Sequence, residues 1–506
     1  EQIIAAQRRA LAFNNHQPTA IVYRTTKGWD YGIEGRASHG AGHKLCSDGF
    51  FEASGPLLAM TGRKLPICEA GCQRCEGGKT EDVIEQCFWD GLMIVRSVLE
   101  ENRAPVDHLA GKLSKARDGL NQRKRCPRDD APKIDLIYKT AKKEGSSVPA
   151  ELALKPGTST TLRAELGRVL NYYNKKSGGA IFAAAADLLG STSVVKVGDG
   201  FPAGYYNAKD NPGSRILSIG GICEDAMAGI FSGMASYGRH IGAGSSYGAF
   251  IAALGHIASR LHAIGNQSRQ AIKKEPYRPF VLVCAHAGLK TGEDGPTHAD
   301  PQPLQLLQEN FPRGTMVTLT PWDPAEMWTL LSEALVQRPA VIAPFVTRPN
   351  ETVPDRAALG FAPAADARSG VYCLRKAEGK GDGTVVIQGS EVAYAYAEET
   401  MPLLKKEGID LNVYYVASAE LFDMLPAAEQ ERIYPRAHAE EAMGITGFTL
   451  STMYRWIRSD RGRSLTIHAF QKGHYLGSGQ AHKVMEEAGL NGEHQCNAII
   501  RYVKER

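Results

Sequence analysis

The sequence has no apolar run approaching the roughly 20 residues that a membrane helix needs, so nothing in it argues for a membrane-embedded protein. It has no strong charge of either sign. Against 55 Asp and Glu stand 59 Lys and Arg, a formal +4 over 506 residues, which gives no reason to expect nucleic acid as a partner. Its ten cysteines are scattered, without the spacing of a small disulfide scaffold. They fit free thiols in a reducing compartment, and so a cytoplasmic protein. The chain opens at Glu1 with no signal-like segment and no Met, which reads as a processed or excerpted chain. What is present is ordinary: 43% hydrophobic and 23% charged residues is the composition of a packed globular chain. At this length one core does not suffice, and about three domains are expected.

The richest stretch is residues 286–298, HAGLKTGEDGPTH, with two imidazoles, two carboxylates and three glycines. The apolar run before it, residues 280–284, reads as a buried strand. The glycines and Pro296 then force a loop off its end. In α/β folds ligands sit outside the carboxyl ends of strands. The stretch resembles the sugar-contacting loop of transketolases. That resemblance implies a thiamine diphosphate enzyme of transketolase-like α/β domains, in which His286, Asp294 and His298 contact substrate hydroxyls and His286 and His298 take part in catalysis.

Toward the start, residues 3–13 have helical spacing and residues 19–23 read as a strand. The Gly- and His-rich run that follows resembles the end of the transketolase diphosphate-binding domain. By that resemblance His39 falls on an active-site histidine between cofactor and substrate, and Arg36 stands where the family often has another histidine. A loop histidine is otherwise simply solvated. The family holds the diphosphate through Mg²⁺ (Ca²⁺ serves the same oxygen ligands), bound by Gly-Asp-Gly and an Asn some thirty residues on. Here Gly198-Asp199-Gly200 and Gly381-Asp382-Gly383 lie outside the expected domain and read as tight turns. The expectation is that no metal ligand of that motif is in this chain, and that the front of the first domain comes from an omitted segment or a companion chain. Cys68, Cys72 and Cys75 have a spacing also used for iron–sulfur ligation, and a fourth thiolate would complete a zinc site. Reduced thiols are the other reading. Residues 83–95 read as a buried helix, and residues 112–143 as charged surface helices with a linker.

A new domain is expected near Ser159. An amphipathic helix to about Tyr173 carries Arg163, and residues 180–184 form a strand followed by Asp187 and Ser191. This order resembles the transketolase pyrimidine-binding domain, which would put Asp187 near the thiazolium ring and Arg163 and Ser191 at the substrate phosphate. A strand at residues 216–219 leads to Glu224 at the start of an Ala/Met/Gly helix. By itself such a carboxylate is a helix cap. By the resemblance it bonds N1′ of the aminopyrimidine and shuttles a proton there. Downstream, Tyr247 and Phe250 match the aromatics that hold that ring, although an i, i+3 aromatic pair is more often core. The family's aromatic and acidic residues further along that helix are replaced by Ala252 and Ala253. The strand at residues 339–348 ends on Arg348, at a phosphate-contacting position of the family.

The domain boundaries expected are 1–60 for the remnant of the diphosphate-binding domain and 61–155 for a linker region with the cysteines. Residues 156–350 are expected to form the pyrimidine-binding domain, 349–369 a linker, and 370–506 a C-terminal domain for packing and dimer contact. The activity implied is transfer of a two-carbon ketol unit from a ketose phosphate to an aldose phosphate, in a homodimer or a heteromer. Two other readings stand beside it. One is the β-type subunit of a 2-oxoacid dehydrogenase or a deoxyxylulose-phosphate synthase relative; the other is a non-catalytic partner subunit.

Overall fold

The structure, a computed structural model, describes residues 1–506 apart from residues 15–18, 33, 36–42, 44–46, 67–80, 125, 187, 299 and 506, and apart from the side chains of residues 81–84, 252–255 and 291–292. The chain divides into two units, Glu1–Pro127 and Arg128–Arg506.

The first unit holds helices α1 (Gln2–Ala12), α2 (Asp48–Thr61), α3 (Glu81–Glu101) and α4 (Arg103–Gln122). The Ser47 side chain accepts from Phe50 N and so caps α2, satisfying one of the amides that a helix start leaves open. Two expectations fail here. Residues 19–23 are not a strand: they have no ladder partner among the described residues, and Val22 is 90% exposed. A β-branched run does not make a strand without a neighbour to take its hydrogen bonds. The helix expected at 83–95 forms, but Phe88 and Trp89 are 55% and 57% exposed, so it is not a buried helix; only Cys87 of its middle turn is buried.

The second unit is built on two five-stranded sheets. It begins with α5 (Asp135–Glu144), β1 (Ser159–Thr160) and α6 (Leu162–Lys176). The first sheet collects β2 (Ile181–Ala185), β3 (Ile241–Tyr247), β4 (Phe280–Ala285), β5 (Met316–Leu319) and β6 (Val341–Val346). Their order is β2-β3-β4-β6-β5 and every pairing is parallel. Crossovers α7 (Glu224–Tyr237), α8 (Gly248–Lys273), the short α9 (Pro303–Leu307) and α10 (Met327–Gln337) connect them. A parallel sheet is covered on both faces, which is why β4 (FVLVCA) is apolar and buried at every position.

β3 is the exception that shows how packing decides. Its sequence, IGAGSSY, has the composition of a loop, yet all seven residues are buried strand. A Cβ on Gly242 would fall inside the Phe231 ring of α7. The glycine lets that helix approach, and burying Phe231 stabilises by about 2 kcal/mol. The strand expected at residues 216–219 is reduced to one parallel bridge, Ile216 to Ala183.

β7 (Glu351–Thr352) pairs antiparallel with β1, so the chain leaving the first sheet is tied back to its start. The second sheet follows: β8 (Val371–Arg375), β9 (Thr384–Gln388), β10 (Asn412–Val416), β11 (Met443–Thr446) and β12 (Ile467–His468). Its order is β12-β11-β9-β10-β8. Only the edge strand β8 runs antiparallel to its neighbour. Helix α11 (Ser390–Ala395) leaves the end of β9. The expected linker at 349–369 is not a free tether. Arg356 is buried between Asp323 at 2.7 Å and Glu326 at 2.7 Å, pinning the segment to the start of α10. The sheets share an apolar core that includes Trp322, Tyr372, Tyr394 and Tyr415.

Candidate functional site

Because the first sheet is parallel, the segments leaving β2, β3, β4 and β6 emerge at one edge. They carry Ser191, Tyr247, His286 and Arg348. Arg163 joins them from the first turn of α6, whose start is capped by the Thr161 side chain accepting from Ala164 N at 3.0 Å. One Nη of Arg163 donates to the Ser191 carbonyl and lies 3.0 Å from His286 Nε2. His286 Nε2 is also 3.2 Å from that carbonyl. On the other side of the ring, His286 Nδ1 faces Asp294 Oδ2 at 3.7 Å. Asp294 accepts from Arg348 Nη1 at 3.1 Å.

The rings stack in the same place. Tyr247 lies on His286 with centroids 3.9 Å apart and planes at 20°, and on Phe250 at 6.2 Å and 19°. His298 meets both edge-on, at 5.5 Å and 5.2 Å. Ser191 Oγ is 3.5 Å from the Tyr247 hydroxyl. Glu224 opens α7 with 8% exposure, and its Oε1 accepts from Ser246 Oγ at 2.8 Å. Ser246 precedes Tyr247 at the end of β3, so the carboxylate belongs to the same sheet edge.

The electrostatics favour a neutral imidazole facing an anion. Burial, with the Arg163 and Arg348 charges acting the same way, brings His286 down to about 4 although the Ser191 carbonyl and Asp294 pull upward. At neutral pH the ring is therefore uncharged and offers one donor and one acceptor. Burial, and next the Arg348 charge, lower the Arg163 pKa. Two guanidinium groups held close enough to oppose each other suit a bound anion.

Of the residues expected in a site, Arg163, Ser191, Glu224, Tyr247, Phe250, His286, Asp294, His298 and Arg348 are described and lie along this edge. His39, Asp187, Cys68, Cys72 and Cys75 lie outside the described residues. Among the described residues no group of three or more His, Cys, Asp or Glu is placed to hold a metal ion. One participant escaped the sequence reading. Ser246 sits in what reads as a Gly/Ser loop. Lys290, inside the loop itself, turns away from the cluster to Glu351 at 2.6 Å, and burial, opposed by Lys290, raises that glutamate to about 7.

Fold and site thus define an α/β protein with a polar, anion-suited site at the carboxyl edge of a parallel sheet and a second, mixed sheet behind it. Residues 159–350 match the family model of the transketolase pyrimidine-binding domain, and residues 370–491 that of the transketolase-like C-terminal domain. The chain belongs to the transketolase family, which depends on thiamine diphosphate. It is 28% identical over 348 residues to a transketolase of Aquifex aeolicus, covering 67% of this chain and 44% of the relative. To a transketolase of Halalkalibacterium halodurans it is 26% identical over 345 residues, covering 67% and 46%. The chain therefore spans about half the length of these relatives. Among solved structures it resembles a Leishmania mexicana transketolase with TM-score 0.60 and 17% identity, covering 90% of this chain and 58% of that one. A Pichia stipitis transketolase in complex with sedoheptulose 7-phosphate is similar with TM-score 0.56 and 18% identity, covering 84% and 56%. At these identities the likeness is one of fold.

Proposed function

We propose that the chain supplies the aminopyrimidine- and sugar-binding half of a thiamine diphosphate enzyme that moves a two-carbon ketol unit from a ketose phosphate to an aldose phosphate. The observation that carries this reading is the convergence of a buried carboxylate, Glu224, with a Tyr–His stack and two guanidinium groups at one sheet edge. The donor set suits the cofactor. A buried carboxylate anchored by one hydroxyl is a partner for a ring nitrogen, and Tyr247 and Phe250 present aromatic faces to hold a planar ring. When bound, the cofactor supplies a carbon nucleophile for the donor's carbonyl, chemistry that no side chain here offers.

The chain's own residues do the rest. Glu224 holds or releases a proton at N1′ of the pyrimidine, and Ser246 fixes the orientation of its carboxylate. Neutral His286, with His298 and Asp294, bonds the sugar hydroxyls and holds the donor for attack. Arg163, Arg348 and Ser191 bind the remote phosphate. Arg348 is itself held by Asp294 of the loop at 3.1 Å. His39 and Asp187 complete the cofactor side in this reading. Residues 1–60 are then the remnant of the diphosphate-binding domain, and the diphosphate with its Mg²⁺ is held by a companion segment carrying Gly-Asp-Gly and Asn. The assembly is at least a dimer of active-site halves in the cytoplasm, and serves pentose phosphate interconversion.

The test is to combine the chain with such a companion, cofactor and Mg²⁺, and to measure two-carbon transfer and deuterium exchange at the cofactor's C2. Transfer that Glu224→Gln nearly abolishes, together with the exchange, supports the reading. The amide is isosteric but cannot take part in the proton equilibrium. Unchanged exchange in the variant removes Glu224 from this role.

A further inference from the structure

The loop after β4 is held in place by a residue of α11, the helix that leaves the second sheet. His286 has φ 52° and Gly288 φ 76°, left-handed backbone that a non-glycine residue keeps only where its surroundings impose it. On one side of this turn Ala287 N donates to the Val346 carbonyl of β6 at 3.1 Å. On the other, Leu289 N donates at 3.2 Å to Oε1 of Glu391, 102 residues further along on α11. Glu391 is 1% exposed. Its carboxyl lies against two glycines, one on the loop and one after β11. A Cβ added at Gly288 or at Gly447 would fall well inside contact distance of Oε1. Burial raises this carboxyl's pKa, opposed by the bonds from its own amide and from Leu289 and by Lys290. The loop is seconded further along by Ser478 Oγ, which donates to the Glu293 carbonyl at 2.9 Å. Burying a carboxyl costs free energy unless its bonds are made, and an ordinary surface loop needs no such acceptor. The pairing of a buried acid with two cleared glycines marks a built contact.

We infer that Glu391 is a positioning residue for His286: its carboxyl fixes the Gly288–Leu289 backbone and thereby turns the imidazole onto Tyr247 and Arg163. The C-terminal sheet then has a part in the site beyond packing. The kinetic consequence rests on the transferase reading above; the structural one does not.

The test uses the full chain with isotope-labelled histidine, the His286 resonance being assigned with His286→Gln. In the wild type the ring stays neutral and does not titrate between pH 5 and 8. Glu391→Asp keeps the charge but withdraws the carboxyl by one methylene, about 1.5 Å. The resonance is then expected to change and to titrate near its ordinary value of about 6.5. Glu391→Gln keeps an acceptor oxygen at the same reach and should preserve the wild-type signal. A folded Glu391→Asp with an unchanged His286 signal overturns the inference, as does a Gln variant altered as much as the Asp one. Should the Asp variant not fold, amide exchange in the wild-type protein decides. Leu289 N–H should exchange at least a hundredfold more slowly than an open loop amide, and an unprotected rate overturns the proposal. In the assembled enzyme Glu391→Asp should lower kcat/KM for the ketose phosphate about tenfold with cofactor affinity unchanged. If the wild type shows no transfer at all, the functional reading fails while the resonance comparison still decides Glu391.

Discussion

Replacing Arg356 with Ala should strip the cation from a closed ionic cluster. Its Nε bonds Asp323 Oδ2 at 2.7 Å, Nη2 bonds Glu326 Oε1 at 2.7 Å and Nη1 bonds the Ala362 carbonyl at 3.0 Å. The guanidinium carbon also lies 4.8 Å from the Trp322 ring centroid, and Tyr372 donates to Glu326. The Asp323 and Glu326 side chains are fully buried, so the variant leaves two buried carboxylates without a counter-charge. Removing one partner of a buried pair costs about 3–5 kcal/mol. Unfolding of the Arg128–Arg506 unit carries an entropy of about 0.8 kcal/mol/K at the usual value per residue, so Tm should fall by about 4–6 °C. The pH dependence has a definite sign. Burial already holds Glu326 above its usual pKa, with Arg356 opposing. A carboxyl raised in the folded state contributes stability at acid pH and loses it as pH rises through the folded value. Without Arg356 that value climbs further, so the deficit should be larger at pH 8 than at pH 5. Urea unfolding at both pH values measures it, and Asp323→Asn/Glu326→Gln in the Arg356→Ala background should recover most of the loss. A deficit under about 1 kcal/mol, or one that grows toward acid pH, would refute the reasoning.

On the proposed division of the active site, calorimetry on the isolated chain with thiamine diphosphate and Mg²⁺ should find weak binding, because the diphosphate and metal are assigned to a companion segment; tight binding without a partner contradicts that assignment. Arg348→Ala should raise KM for a ketose phosphate about tenfold or more, the worth of a charge-assisted bond, and leave the unphosphorylated ketose nearly unaffected. Equal effects on both would mean that Arg348 is no anion clamp. Gly242→Ala, which pushes a methyl into Phe231, should cost about 1–3 kcal/mol in chemical unfolding, and a wild-type midpoint would show that α7 has room to move.

What the sequence made legible is whatever carries its signal locally. β2, β4 and β6 are short apolar runs; the helix that begins at Glu224 and the loop of residues 286–298 are written in consecutive residues. β3 was not legible, because Gly and Ser make it look like a loop until two parallel neighbours supply its hydrogen bonds and Phe231 fills the space over Gly242. The 19–23 run failed in the opposite direction, having strand composition without a partner strand. Arg356 reads as one more solvated arginine in a Pro-containing linker, and only the fold shows it enclosed by two acids from the start of α10. The candidate site shares this division. Most of its residue types were readable, since Arg163 and Glu224 open helices and Ser191, His286 and Arg348 follow recognisable strands. Its contacts were not: Arg163 meets His286 across 123 residues and Leu289 meets Glu391 across 102, separations at which no local pattern constrains who touches whom. The same distances explain why the C-terminal sheet looked like mere packing in sequence. A glutamate at the first turn of a helix reads as an end cap, and its relation to the imidazole loop exists only once two sheets lie against each other. A residue type can be inferred from its neighbours in the chain, whereas its role here is set by neighbours in space, and the Glu391 variants measure that difference.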